Sequence, residues 1–248
     1  MKKLLSGFLL LRPWSLTATL VPFLVALPFF LGDPRDCHRF NHRLLAQWGI
    51  ALVAGIFLQL ACNLLNTWGD DRSGVDAVPG THVTTPQIQQ GLVTPVQVLS
   101  AAFFCLAVTG GLGALLCFDV FGSHVFNWPL LIVSVLGFLG ATNYATGLKF
   151  KYHGLGVPFV FILMGPLYFC GICSVLNASV AAQFVTHPGR CLMPALAVSL
   201  VSLPVACLVA VILHGNDMRD MASDRAAGIK TTATVLGPQG ALILYYVL

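Results

Sequence analysis

Residues 191–232 read CLMPALAVSLVSLPVACLVAVILHGNDMRDMASDRAAGIKTT. The stretch opens on an uncharged apolar window, 191–213, and runs without a break into Asn216, Asp217, Arg219, Asp220, Asp224, Arg225 and Lys230. A helix needs roughly 20 apolar residues to cross the hydrocarbon core of a bilayer, so the window predicts a membrane span whose end carries acids. Comparable windows lie at about 14–32, 44–65, 96–118, 128–146 and 156–176, giving six predicted spans. A seventh apolar run opens near Pro238 and reaches Leu248 after about 11 residues, too few to cross.

The rest of the chain agrees with this reading. Of 248 residues, 57% are hydrophobic and 9% charged, and the mean hydropathy is +0.84. Such a composition cannot coat a soluble globule with polar surface. The 13 Lys and Arg are scattered rather than grouped in a block, which excludes a nucleic-acid interface. The opening MKKLLSGFLLL is interrupted by Arg12-Pro13 and followed by no small-x-small cleavage site, so it reads as an uncleaved first helix. Counting basic residues in alternate loops puts nine on one side (Lys2, Lys3, Arg12, Arg72, Lys149, Lys151, Arg219, Arg225, Lys230) and four on the other (Arg35, Arg39, Arg43, Arg190). The first side, with the N-terminus, is predicted to be cytoplasmic.

All nine acids are Asp, and six of them fall in two short stretches on that side. One is Asn63-Leu-Leu-Asn66-Thr-Trp-Gly-Asp70-Asp71-Arg72-Ser-Gly74-Val-Asp76, after the second span. A continuing helix puts Asn63, Asn66 and Asp70 on one face, with Gly74 as its stop and Asp76 on the turn beyond. The other follows the sixth span, where Asn216, Asp220 and Asp224 recur at i, i+4 and i+8 and Gly228 ends the helix. Two such faces turned together form a cage of carboxylates and amides. Close like charges repel, and desolvation near a membrane adds to the cost, so a cation belongs between them. Hard oxygen ligands suit Mg²⁺, which commonly binds through a few carboxylates plus substrate phosphate. A Mg²⁺-diphosphate is the expected occupant, with Lys149, Lys151, Arg219, Arg225 and Lys230 able to hold its oxygens. Solvated loop ends in ordinary salt bridges would explain one cluster; two on one face are better explained by a site. Asp33, Asp36 and Asp119 read as loop charges.

The cysteines lie mostly inside predicted spans, so Cys170-x-x-Cys173 reads as packing rather than as a redox or metal pair. His38 and His42 lack a third ligand and read as a solvated loop.

The pattern Asn66, Asp70, Asp76 together with Asn216 to Thr231 resembles the two Asp-rich motifs of the UbiA superfamily of intramembrane aromatic prenyltransferases. Arg12-Pro13-Trp-Ser-Leu16, Asn63-Leu-Leu-Asn66 and Lys151-Tyr152-His153-Gly154-Leu155-Gly156 are most similar to the branch that prenylates 1,4-dihydroxy-2-naphthoate in menaquinone synthesis. The resemblance covers about residues 12–240. It implies a nine-helix, all-α transmembrane bundle with a lateral opening to lipid and a cap over the cytoplasmic ends. It implies Mg²⁺-assisted ionisation of a polyprenyl diphosphate, whose allylic cation alkylates a small aromatic acceptor, with loss of carboxylate in the naphthoate branch.

By the same resemblance Asn66, Asp70, Asp76, Asn216, Asp220 and Asp224 are the metal and diphosphate residues. The four Asp among them are catalytic and Lys149 or Lys151 contacts the diphosphate, with Arg219 a further candidate for it by its charge. Tyr144 and Tyr152 are candidates to face the cation, since aromatic faces attract positive charge. The expectation is a single domain over 1–248, in the plasma membrane of a bacterium or archaeon, that stops short of the family's last helices. Thr67 stands where the branch usually has Asp, Asp217 where it often has Asn, Val157-Pro158 where an acid is usual, and Val83 to Gly91 lack the usual phosphate-binding Arg. Other acceptors within the fold are 4-hydroxybenzoate, homogentisate, a haem vinyl group and a glycerol phosphate ether. Phosphatidyl-alcohol phosphotransferases need a single D-x-x-D-G-x-x-A-R run that is absent here. An ion-coupled transporter would carry its acids mid-span rather than at helix ends.

Overall fold

The computed structural model describes residues 7–26, 42–74, 76, 86–118, 126–176 and 188–248. The loop positions Asp33, Asp36, Cys37, His38 and Asp119 lie outside the described residues. Among the described residues the chain is all-α, and its one extended pairing is a single parallel bridge between His153 and Lys230.

A 3₁₀ turn, Pro13–Leu16, leads into α1, Thr17–Ala26. Proline at the start of the turn fixes φ where no amide donor is needed. The remainder of the first predicted span, 27–32, lies outside the described residues. Next come α2 (His42–Ser73), α3 (Pro95–Cys117) and α4 (Trp128–Ala145). A capping box between Thr94 and Gln97 starts α3, and the Asn127 side chain caps α4 by accepting from the Leu130 amide. Helix α5 (Gly156–Ile162) continues through a π turn, Leu163–Leu167, into α6 (Tyr168–Leu176). Pro166 removes an amide donor from this span, and the chain widens around it. Then follow α7 (Pro188–Arg219), α8 (Met221–Ala226) and α9 (Thr232–Val247).

Among the described residues five helices are long and apolar enough to cross a membrane: Leu45–Ser73, Pro95–Cys117, Trp128–Ala145, Gly156–Val175 and Leu196–Arg219. They match the second to sixth predicted spans. The seventh apolar run starts earlier than its hydropathy indicates. Its helix begins at Thr232 with Thr231 as cap, and bends at Gly237, whose φ of 71° breaks the helical path ahead of Pro238.

Apolar side chains such as Phe103, Phe104, Ile132, Leu200, Leu208 and Ile212 are exposed on the helix exteriors. That is the surface lipid requires, because hydrocarbon gives no reason to bury them. Inside, close approach depends on small residues. A Cβ on Gly165 would collide with that of Ala206 on α7, and one on Gly69 would stand 2.7 Å from the Ala145 carbonyl oxygen at the end of α4. Larger side chains fill the remaining core, with Leu64, Leu65, Val98, Ala102 and Leu106 between α2 and α3 and Phe23, Phe169, Ile172 and Val205 between α1, α6 and α7. Cys170 and Cys173 sit within α6, Cys170 with its Sγ 3.9 Å from Ser199 Oγ, as the packing reading expects.

Candidate functional site

Helix α2 is 32 residues long, about 48 Å at 1.5 Å per residue and so longer than the roughly 30 Å hydrocarbon core. Its last turns therefore carry Asn63, Asn66 and Asp70 to one end of the bundle. Gly74 stops the helix at φ 75°, as its position in the sequence predicts. The second cluster differs from expectation. The helix does not run unbroken through Asn216, Asp220 and Asp224: α7 ends at Arg219 and α8 starts after Asp220. The spacing survives the joint, because the Asp220 amide still donates to the Asn216 carbonyl at 3.0 Å and the Asp224 amide to the Asp220 carbonyl at 2.9 Å. Gly228, at φ 72°, lies at the end of α8.

Four chain segments meet at this end. The first is the N-terminal turn. Arg12 is held at φ 50°, and its Nη2 donates to the buried Thr67 hydroxyl at 3.2 Å. Asn63 fixes the same turn by donating to the Leu11 carbonyl at 2.8 Å and to Ser15 Oγ at 2.7 Å. Burial pulls the Arg12 guanidinium below its ordinary range while Asp70, Asp76 and Tyr152 pull it back. Thr67 is thus a neutral partner for a buried cation rather than a further carboxylate.

The second segment is the end of α2. Asp70 is buried, and its Oδ1 accepts both Lys151 Nζ and Tyr152 Oη, each at 2.6 Å. Ser73 Oγ donates to the Tyr152 oxygen at 3.3 Å. Burial, with Asp70 beside it, pushes the Tyr152 phenol well up, so it stays a donor. Beyond Gly74, burial and the neighbouring Asp70 push the Asp76 carboxyl up to about 6, against the pull of Lys151 and Arg12. Gln89 Nε2 donates to Asp76 Oδ2 at 3.1 Å and reaches Asp71 Oδ1 at 3.5 Å. Asn66 is half-buried one turn before Asp70.

The third segment is the connection from α4 to α5, a 3₁₀ turn over Phe150–Tyr152. Lys151 and Tyr152 enter the site from it, whereas Lys149 is exposed. The Lys151 ammonium is electrostatically coupled to Asp76, Asp217 and Asp224 as well as bonded to Asp70. Tyr144, buried at the end of α4, feels both Asp70 and Asp217. Its ring stacks on Phe159, which stacks in turn on Phe150.

The fourth segment runs from α7 to α9. Asp217 and Asp224 are buried, while Asn216 and Arg219 are exposed. Burial pushes the Asp224 carboxyl up, and Lys151 and a hydrogen bond from the Thr231 hydroxyl oppose the shift. Arg219 grips the adjacent Asp220 with two bonds, Nε to Oδ1 at 2.7 Å and Nη2 to Oδ2 at 2.6 Å. Arg219 is therefore committed to a carboxylate of its own cluster.

The two clusters thus meet around a lysine. Among the described residues no three carboxylate, imidazole or thiol side chains gather into a group able to hold a metal ion, so the expected closed cage of carboxylates is not formed. The donor set nevertheless suits a hard cation, since it consists of carboxylate and amide oxygens with no thiol or imidazole among them. Gln89 and Ser73 belong to the site and carry no signal in the sequence beyond nearness to an Asp, whereas Thr67 and Thr231 stand within the two motifs, which give no sign of these contacts.

Residues 19–248 match the model of the UbiA prenyltransferase family. The chain is 31% identical over 244 residues to UbiA prenyltransferase domain-containing protein 1 of Homo sapiens, covering 98% of this chain and 64% of that protein. It is 27% identical over 235 residues to 1,4-dihydroxy-2-naphthoate octaprenyltransferase of Bacillus subtilis, covering 95% and 67%. The chain thus spans about two thirds of the length of these relatives. Its fold is similar to that of a UbiA homologue from Archaeoglobus fulgidus bound to GPP and Mg²⁺, with a TM-score of 0.65 at 16% identity, over 98% of this chain and 73% of that one.

Proposed function

The chain belongs to the UbiA prenyltransferase family, and from that premise we propose that it transfers a polyprenyl group from a polyprenyl diphosphate to a small aromatic acceptor. We take the acceptor to be 1,4-dihydroxy-2-naphthoate, prenylated with loss of its carboxylate to give demethylmenaquinol. The Bacillus relative and the naphthoate-branch motifs support that choice. The observation that carries the reading is the convergence of two Asp-bearing helix ends on Lys151, at one end of a membrane-spanning bundle.

In this reading Asn66, Asp70, Asp76, Asn216, Asp220 and Asp224 hold Mg²⁺. Bound there, Mg²⁺ supplies neutralisation of the charge that grows on the departing diphosphate. Lys151 gives the diphosphate oxygens a compact positive charge, and Tyr152 donates beside it. Arg219 presents a second cation from the opposite segment once it shares Asp220, while Lys149 is a peripheral contact. Tyr144 and its stacked neighbours wall the inner side of the site, where an apolar surface keeps water from a reactive allylic centre. The whole is a single intramembrane domain with its Asp-rich end on the cytoplasmic side, the side favoured by the nine-to-four distribution of Lys and Arg.

The test is direct. Membranes carrying the protein receive Mg²⁺, a long polyprenyl diphosphate and 1,4-dihydroxy-2-naphthoate, and the lipid extract is analysed by mass. A prenylated, decarboxylated naphthoquinol is the expected product. Product with 4-hydroxybenzoate instead would keep the reaction and change the acceptor, and no product with any aromatic acceptor would overturn the reading.

A further inference from the structure

The segment Lys230–Thr232 touches both halves of the site. Thr231 caps α9 by accepting from the Thr234 amide, and its hydroxyl also reaches Asp224. The Thr232 backbone amide donates to the Asp217 carboxylate. Thus two buried acids of the second cluster are tied to neighbouring residues of one short segment.

The Thr232 hydroxyl points elsewhere. It donates to the Gly154 carbonyl at 3.0 Å and accepts from the Val157 amide at 3.2 Å, partners 78 and 75 residues away in sequence. A threonine at a helix start ordinarily serves its own helix. Here that local duty is already performed by Thr231, so the two long-range bonds of Thr232 call for another explanation. They close onto the turn that delivers Lys151 and Tyr152. Two further contacts line up with them. His153 pairs with Lys230 in the parallel bridge. Gly154, at φ 78°, approaches so near that a Cβ there would stand 2.9 Å from Val235 Cγ2. Thr232 and Val157 are both buried, so neither bond is readily replaced by water.

We propose that Thr232 is a positioning residue: its hydroxyl clamps the Lys151-bearing turn to the segment that holds Asp217 and Asp224, and so fixes where the Lys151 ammonium stands between the two clusters. The proposal rests on the prenyl-transfer reading for its kinetic consequence but not for its structural one. A turn released from the clamp still carries Lys151, so the cost falls on diphosphate capture more than on the chemistry that follows.

Two variants in the whole membrane-embedded protein test this. Thr232→Val keeps the shape and removes both bonds, and Thr232→Ser restores the hydroxyl. Hydrogen exchange of the peptide spanning residues 150–158 reads the clamp, and KM for the polyprenyl diphosphate reads its use. For Thr232→Val we expect exchange in that peptide to quicken by about tenfold and KM to rise by about tenfold, the scale of one or two lost buried hydrogen bonds. The fall in kcat should be about threefold or less, and Thr232→Ser should recover most of both effects. Unchanged exchange in Thr232→Val would overturn the clamp. Faster exchange with an unchanged KM would overturn its role in placing Lys151. Were the native protein to transfer no prenyl group, the functional reading would fall, and the exchange result alone would decide the clamp.

Discussion

Lys151 Nζ lies 2.6 Å from Asp70 Oδ1, although 81 residues separate them in the chain. The pair joins the α4–α5 turn to the end of α2, and the lysine side chain retains 22% exposure. A partly open ammonium beside several carboxylates can exchange one anionic partner for another. A diphosphate is a stronger partner than a single carboxylate, because it offers more charge and more acceptor oxygens.

Replacing that ammonium should therefore be costly. Lys151→Met is expected to lower kcat/KM for the polyprenyl diphosphate by about a hundredfold. Lys151→Arg should recover part of the loss, since it keeps the charge but spreads it over a planar fork. Initial rates at varied diphosphate concentration separate the two variants; equal rates for native protein and Lys151→Met would refute the assignment.

Asp70→Ala and Asp220→Ala should each reduce turnover by about a hundredfold or more while leaving the protein inserted and monodisperse in detergent, because on the proposed reading each removes a charge assigned to the metal complex. Near-native turnover in either variant would sink its place in the metal site.

Chelation offers an independent check. Treatment with EDTA is expected to abolish transfer, and added Mg²⁺ to restore it. Ca²⁺ should restore much less, being larger and less demanding in geometry. Full activity in the presence of EDTA would remove the metal from the reaction.

Tyr152→Phe removes a donor to Asp70 and an acceptor for Ser73. A loss of about tenfold in kcat/KM is expected, the scale of a hydrogen bond to a charged group. A rate equal to that of the native protein would show that Lys151 alone orients Asp70.

Packing makes the last prediction. Gly69→Ala forces a Cβ to 2.7 Å from the Ala145 carbonyl, next to Asp70, whereas Gly110→Ala in α3 meets nothing within 4 Å. The first should destabilise the protein by about 1–3 kcal/mol, as overpacking does, and the second should leave its midpoint within error. Thermal unfolding in detergent measures both.

The parts that the sequence foretold share a physical basis. Hydropathy windows found α2 to α7, since a span must be long and apolar. Glycine at a left-handed position found the stops at Gly74 and Gly228. Alternation of loops put both Asp clusters at one end, where the structure has them. What the sequence did not foretell depends on residues far apart in the chain. Lys149 and Lys151 look alike as letters, and only the 3₁₀ turn after Lys149 sends the second one to Asp70. The joint at Asp220 breaks a helix that periodicity alone would continue. Gln89 is an ordinary loop residue until folding sets it against Asp76, and Thr231 and Thr232 are the tail of the second motif until folding sets one against Asp224 and the other against the turn at Gly154.

The contact between Arg12 and Thr67 sets the first acidic helix end between cations from two distant parts of the chain. Arg12 feels Asp70 and Asp76 from the N-terminal turn, and Lys151 bonds Asp70 from a turn 81 residues further along. The carboxylates of α2 are thus balanced from both sides, by a cation held on a neutral threonine and by one that remains partly open.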